Sequence, residues 1–218
     1  SKRLAQQSDR LHQNGCRLKI TQLSDDARTG EKVQVILTAA QFLFSQFGLK
    51  KVTMDEIAGQ AHVSKATVYK YFRNKTDIFD SVVEMEAFEL LRLIREAVDR
   101  APTVEDKFKV HLLTRMGKIH DLINFYRVTQ ESWGDFWPHL AETGQRFVKE
   151  EENIVRDILQ QGVLSGELEV ARLDLVAHLT VVALKAIDFP WALDGHDVTP
   201  QQYADMMVDM MMNGIKKR

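Results

Sequence analysis

Between Thr53 and Lys75 the chain reads TMDEIAGQAHVSKATVYKYFRNK, a pattern that fits two short helices joined by a tight turn and little else. Thr53 followed by Glu56 is a capping box, in which each side chain satisfies a backbone N–H of the first helical turn. Ile57, Ala58 and Ala61 recur at helical spacing, and His62 and Val63 form the turn. Ser64 is a good N-cap for the second helix, since its hydroxyl can accept from an N–H two or three residues on. Val68 and Phe72, four apart, face inward. Lys65, Thr67, Tyr69, Lys70 and Tyr71 are left on the outer surface, a face suited to phosphates and base edges. The same outline also describes a plain helical hairpin with a solvated polar side.

The flanking sequence favours the first reading. Val33, Ile36, Leu37, Ala40, Phe44 and Phe47 form an apolar stripe that ends at Gly48, a natural helix stop. Three helices, the last two a helix-turn-helix, can close a small core. Charge is split along the chain. Residues 1–80 hold 13 Lys+Arg against 8 Asp+Glu, whereas the remainder is acidic and brings the whole to −2. A basic end on an acidic chain suggests that one part meets a polyanion.

Taken together, Ile36-Leu37, Ala39-Ala40, Phe44, Gly48, Thr53, Ile57-Ala58, Ala61, Val63-Ser64, Thr67, Val68-Tyr69, Tyr71-Phe72, Asn74-Lys75 and Ile78-Phe79 resemble the TetR family of bacterial transcriptional regulators. One departure stands in the turn, where the family usually has Gly and this chain has His62. That position calls for φ > 0, and His is among the non-Gly residues enriched there. The resemblance implies an all-α fold. It also implies three segments: a polar extension (1–30), a helix-turn-helix domain (31–78) and a helical effector-binding and dimerisation domain (79–218). Thr53, Tyr69 and Lys75 are the expected phosphate contacts. Lys65, Thr67, Lys70 and Tyr71 are the candidates for base or groove contact, with Ser64 starting their helix.

Residues 1–30 are polar and mixed in charge. Such arms can reach into a minor groove, but a tail or a short extra helix is the favoured reading. Cys16, the single cysteine, cannot form an internal disulfide. No apolar run is long enough to span a membrane and no apolar signal core opens the sequence, so a cytoplasmic protein without a membrane partner is expected.

Beyond the turn motif, Thr76 or Asp77 is expected to cap a long helix with Phe79, Val83, Leu90, Ile94 and Val98 inside. Thr103 should cap the next, striped by Phe108, Leu112, Met116, Ile119 and Ile123. A shorter segment follows around Phe125 to Trp133. Then come a long helix to about Leu164, an apolar helix from Asp174 to Phe189, and a last helix opened by Thr199-Pro200. The last two are apolar nearly all round, which places each against more than one neighbour. A second protomer is the expected neighbour, as the resemblance also implies, with Val176, Thr180, Leu184, Met207, Met210 and Met211 at the interface.

Phe125, Tyr126, Trp133, Phe136 and Trp137 crowd five aromatics into 13 residues. With Met116, His120, His178 and Lys185 nearby, they form the expected effector pocket, because ligand sites are mostly apolar with a few placed polar groups. For each aromatic taken singly, ordinary core is the alternative. Glu-x-x-His, His-Glu-x-x-His, Cys-x-x-Cys and Gly-rich phosphate loops are all absent, so no enzyme, metal or cofactor is expected. The sequence reads as a homodimeric regulator, a repressor released from a palindromic operator on double-stranded DNA by a small hydrophobic or aromatic effector. The alternative is a DNA-binding activator or architectural factor without an effector.

Overall fold

The computed structural model describes residues 27–119, 137–187 and 198–215. Its helices are α1 (Ala27–Phe47), α2 (Met54–Gln60), α3 (Lys65–Tyr71), α4 (Lys75–Arg100), α5 (Val104–Ile119), α6 (Trp137–Ser165), α7 (Leu173–Ile187) and α8 (Pro200–Ile215). No strand occurs among the described residues, so the fold is all-α, with a helix-turn-helix domain followed by a larger helical region. Most of the polar extension, the segment from Phe125 to Trp133, and Phe189 lie outside the described residues. The contacts divide the chain into two units, Ser1–Phe88 and Glu89–Arg218.

In the first unit, the α1 stripe turns inward as its spacing requires. Val33, Ile36, Leu37, Ala40 and Phe44 are buried, and Phe44 meets Phe79 edge-on at 5.3 Å between ring centroids. Phe47 departs from the expected stripe, being 57% exposed. It is the last residue of α1, and the chain turns away at Gly48, whose φ of 76° needs a residue without Cβ. The Gly48 N–H donates to the Phe44 carbonyl at 2.9 Å and closes the helix.

The start of α4 also differs from the expected one. Asn74, rather than Thr76 or Asp77, caps it: its Oδ1 accepts the Asp77 N–H at 2.9 Å. Asp77 reaches back to accept the Arg73 N–H at 3.2 Å. Asn caps as well as Asp does, and the carboxylate three residues on completes the exchange.

In the second unit, α5 packs on α6 and α8, and α6 packs on α7. Thr103 caps α5 through the Asp106 N–H, and Thr199 caps α8 through the Gln202 N–H, both as expected. The core is built from Phe108 and Leu112 of α5, Ile154, Val155, Ile158 and Leu159 of α6, Ala177 and Val181 of α7, and Ala204 and Val208 of α8. Gly162 lets Leu168 fold back onto α6, since a Cβ there would lie 2.5 Å from the Leu168 side chain.

Although α7 and α8 are apolar nearly all round, each is buried on one side only. Ala177, Val181 and Leu184 face in on α7, and Ala204, Val208 and Met212 on α8. Leu179, Val182, Met206 and Met210 stand outside, Met210 at 70% exposure. No described helix is long and apolar enough to cross a membrane.

Candidate nucleic-acid interface and ligand groove

The turn motif is held by local hydrogen bonds that its sequence dictates. The Thr53 N–H donates to Glu56 Oε2 at 2.7 Å, and the Glu56 N–H donates to Thr53 Oγ1 at 3.3 Å. The Thr53 hydrogen bonds also hold the Glu56 carboxyl below its ordinary value. After α2, the Val63 N–H reaches the Ala58 carbonyl at 3.0 Å. His62 takes φ 54°, the left-handed conformation that the turn demands, in a residue that tolerates it. Ser64 Oγ then accepts the Thr67 N–H at 3.1 Å and starts α3.

Val68 and Phe72 anchor α3 to the core, which fixes what its other side presents. Lys65, Tyr69 and Lys70 are exposed, and Thr67 and Tyr71 are half-buried. The Lys70 ammonium lies 5.5 Å from the centre of the Tyr71 ring, within cation–π range. Lys65 is tied to Asp55 of α2 at 2.7 Å, which the sequence reading missed. The hydrogen bond and charge of Asp55 raise the Lys65 ammonium above its ordinary value. Lys75 is turned elsewhere: its ammonium donates to the carbonyls of Lys50 at 3.0 Å and Val52 at 2.8 Å. It thereby staples the α1–α2 connection to the start of α4. The expected phosphate contact thus has two of its three donors committed to backbone.

The second unit contains a buried charge cluster. Arg115 Nη1 donates to both Glu151 oxygens at 2.6 Å, and His111 Nε2 lies 3.1 Å from Glu151 Oε1. All three residues are inaccessible to solvent. The Arg115 guanidinium also lies 5.6 Å from the Phe147 ring centre. Burial pushes the Glu151 carboxyl up, but the Arg115 charge and the hydrogen bonds from His111 and Arg115 outweigh it and leave it below its ordinary value. The signal for this cluster was in the α5 stripe. Positions 108, 111, 112, 115 and 116 follow helical spacing, so His111 and Arg115 were bound to face inward with Phe108, Leu112 and Met116.

Beside the cluster lies a groove of about 310 Å³. Its walls are Phe108, His111 and Leu112 of α5, Leu179, Thr180, Ala183 and Leu184 of α7, and Met207, Met210 and Met211 of α8. Of the expected pocket residues, Met116 is buried beside the charge cluster but does not line the groove. His178 and Lys185 are exposed on α7, and His178 Nδ1 lies 2.7 Å from Glu152. His120, Phe125, Tyr126, Trp133, Phe136 and the side chain of Trp137 lie outside the described residues. Of the expected dimer residues, Thr180, Leu184, Met207, Met210 and Met211 line the groove and Val176 is half-buried beside it. Leu184, at 1% exposure, belongs to the protomer's own core because its position on α7 continues the Ala177–Val181 face.

Residues 36–82 match the model of the bacterial regulatory proteins, tetR family. The chain is 24% identical over 189 residues to the HTH-type transcriptional regulator YhgD of Bacillus subtilis, covering 85% of this chain and 97% of that protein. It is 22% identical over 188 residues to a fatty acid metabolism regulator protein of the same organism, covering 86% and 97%. Among solved structures it resembles the regulator FadR from Bacillus subtilis in complex with stearoyl-CoA, with TM-score 0.65 and 21% identity over 84% of this chain and 98% of that one. These relatives are regulators rather than enzymes. Residues 36–82 thus carry a helix-turn-helix domain of the tetR type, and over most of its length the chain is similar to DNA-binding transcriptional regulators.

Proposed function

We propose that the protein acts as a homodimeric repressor that leaves a palindromic operator when a small apolar effector binds its C-terminal unit. The observation that carries the DNA half of this reading is the anchoring of α3. Val68 and Phe72 are sunk in the core, and the opposite side offers Lys65, Thr67, Tyr69, Lys70 and Tyr71. Tyr69 and Thr67 can donate hydroxyls to phosphates or base edges and Lys70 supplies an ammonium, whereas the Thr53 hydroxyl is already donated to Glu56 Oε2 at 2.8 Å. Lys65 and Lys75 enter this interface with their charges already engaged by Asp55 and by backbone carbonyls.

The exposed apolar side chains of α7 and α8 support dimerisation. Leu179, Val182, Met206 and Met210 would rest against the same helices of a second copy. One short recognition helix makes few contacts, whereas a two-fold pair reads half-sites about 34–36 Å apart. The FadR neighbour is described with stearoyl-CoA, a ligand with a long apolar chain, and the groove here is apolar as well. Release would follow from linkage: a ligand that favours one arrangement of the dimer weakens binding to DNA that favours another. A gel shift on the DNA upstream of the protein's own gene, with and without a metabolite library, tests this reading. A retarded band abolished by a metabolite is the expected result. A band that no metabolite changes would favour an effector-free factor, and no band would remove the DNA role.

A further inference from the structure

The two lysines of α3 stand in different surroundings. Lys70 lies against the Tyr71 ring and bonds to no carboxylate among the described residues. Lys65, the first residue of the helix, is gripped by Asp55 of α2. Its Nζ lies 2.7 Å from Oδ1 and 3.0 Å from Oδ2. Both side chains of this pair remain open to solvent, at 56% and 64% exposure. Glu56, the other acidic residue in the first turn of α2, is occupied by Thr53. Asp55 is therefore the carboxylate of that turn that acts on α3.

An exposed ion pair of this kind adds little to stability. The two helices it joins are already fixed without it, since Thr53 and Ser64 cap them and Ile57, Ala58, Val68 and Phe72 hold them in the core. Its effect falls instead on what Lys65 offers to DNA. A lysine adds to phosphate binding by neutralising a backbone charge and releasing a counterion. Lys65 stays protonated, because the hydrogen bond and charge of Asp55 raise its ammonium above its ordinary value, but the pair as a whole carries no net charge. A phosphate drawn to that ammonium would meet the adjacent carboxylate and be repelled by it. A base edge carries no net charge, so the same carboxylate costs it far less. With two N–H groups turned to Asp55, the ammonium retains a third for an acceptor. Lys65 also sits at the N-terminal end of the second helix, the part of a helix-turn-helix that contacts base edges.

We propose that Asp55 is a specificity-determining residue: by holding the Lys65 ammonium it withholds that charge from backbone phosphates and reserves it for an acceptor edge in the major groove, that of guanine. The inference rests on the DNA half of the reading above and adds to it a division of labour on α3. Lys70 supplies attraction that is blind to sequence, and Lys65, under the control of Asp55, supplies discrimination. Asp55 touches no base itself and is a positioning residue.

The test is fluorescence anisotropy of the full-length protein on two duplexes over a range of salt. One is the DNA upstream of its own gene, and the other is a shuffled duplex of the same length and composition. Asp55→Asn keeps the size of the side chain and removes its charge. It is expected to bind the shuffled duplex about ten-fold more tightly at about 0.1 M salt, with an unchanged melting curve. The slope of log affinity against log salt should steepen by about one for each Lys65 released. Preference for the upstream DNA should fall by a similar factor. Lys65→Ala alone should leave binding to the shuffled duplex within about two-fold. Combined with Asp55→Asn it should cancel the gain, because Asp55 acts through Lys65 rather than through its own charge on the whole surface. An unchanged slope in Asp55→Asn, a gain that survives the added Lys65→Ala, or a shallower slope on the shuffled duplex in Lys65→Ala alone would each overturn the proposal while leaving the DNA reading intact. An unmodified protein that binds neither duplex would overturn both.

Discussion

Arg115 on α5 and Glu151 on α6 meet in the dry interior of the second unit, Nη1 lying 2.6 Å from each carboxylate oxygen. Such a pair adds little net stability over apolar packing, but breaking it leaves one charge buried alone. Arg115→Met is therefore expected to cost about 3–5 kcal/mol in urea unfolding, and the double replacement Arg115→Met with Glu151→Leu to recover at least half. The pair also sets an acid limit. Glu151 titrates lower in the native state than its ordinary value of 4.5, so between the two values the unfolded chain binds more protons. Its contribution is complete above the ordinary value and is lost as pH falls through the native one. Glu151→Gln should flatten the acid limb of stability measured by urea midpoints.

Lys70 and Lys75 should behave differently in DNA binding. Lys70 is exposed on α3 and bonds to no carboxylate among the described residues, whereas Lys75 donates to the Lys50 and Val52 carbonyls. Lys70→Ala should lower the slope of log affinity against log salt by about one. Lys75→Met should leave that slope unchanged and cost about 1 kcal/mol of stability. A slope change in Lys75→Met would return that residue to the phosphate contacts.

His62 holds φ at 54° in the turn between α2 and α3. His62→Gly removes the Cβ penalty of that conformation and should stabilise the protein by about 1 kcal/mol, read as a higher melting temperature with DNA affinity unchanged.

Met210 projects from α8 at 70% exposure amid Leu179 and Met206 of the outer apolar surface. Met210→Asp should weaken self-association by about a hundred-fold or more, seen by sedimentation as a concentration-dependent shift to monomer. A dimer that survives unchanged would move the interface away from α7 and α8.

The first unit was legible in the sequence because its signals are local. Thr53 with Glu56, Ser64 with Thr67, Gly48 and the positive φ of His62 each concern residues a few positions apart, where spacing determines geometry. Helix ends marked by Thr103 and Thr199 were readable for the same reason. What escaped was non-local. Nothing near Lys75 in sequence tells that its ammonium will meet carbonyls at positions 50 and 52, or that Lys65 will find Asp55. The cluster of His111, Arg115 and Glu151 depends on α5 and α6 lying side by side, which no local spacing marks. The all-round apolar character of α7 and α8 does not say which side turns inward, and only the fold separates inward Val181 and Val208 from outward Leu179 and Met210.

The most direct test of the central claim is hydroxyl-radical footprinting of the full-length protein on the DNA upstream of its own gene. The expected pattern is two equally protected half-sites related by two-fold symmetry and centred about one helical turn, or a whole multiple of turns, apart. Alanine at Tyr69 and Lys70 together should abolish both while leaving the melting curve intact. A single asymmetric footprint, or protection that survives the double substitution, would contradict the assignment of α3 as the reading helix of a dimer.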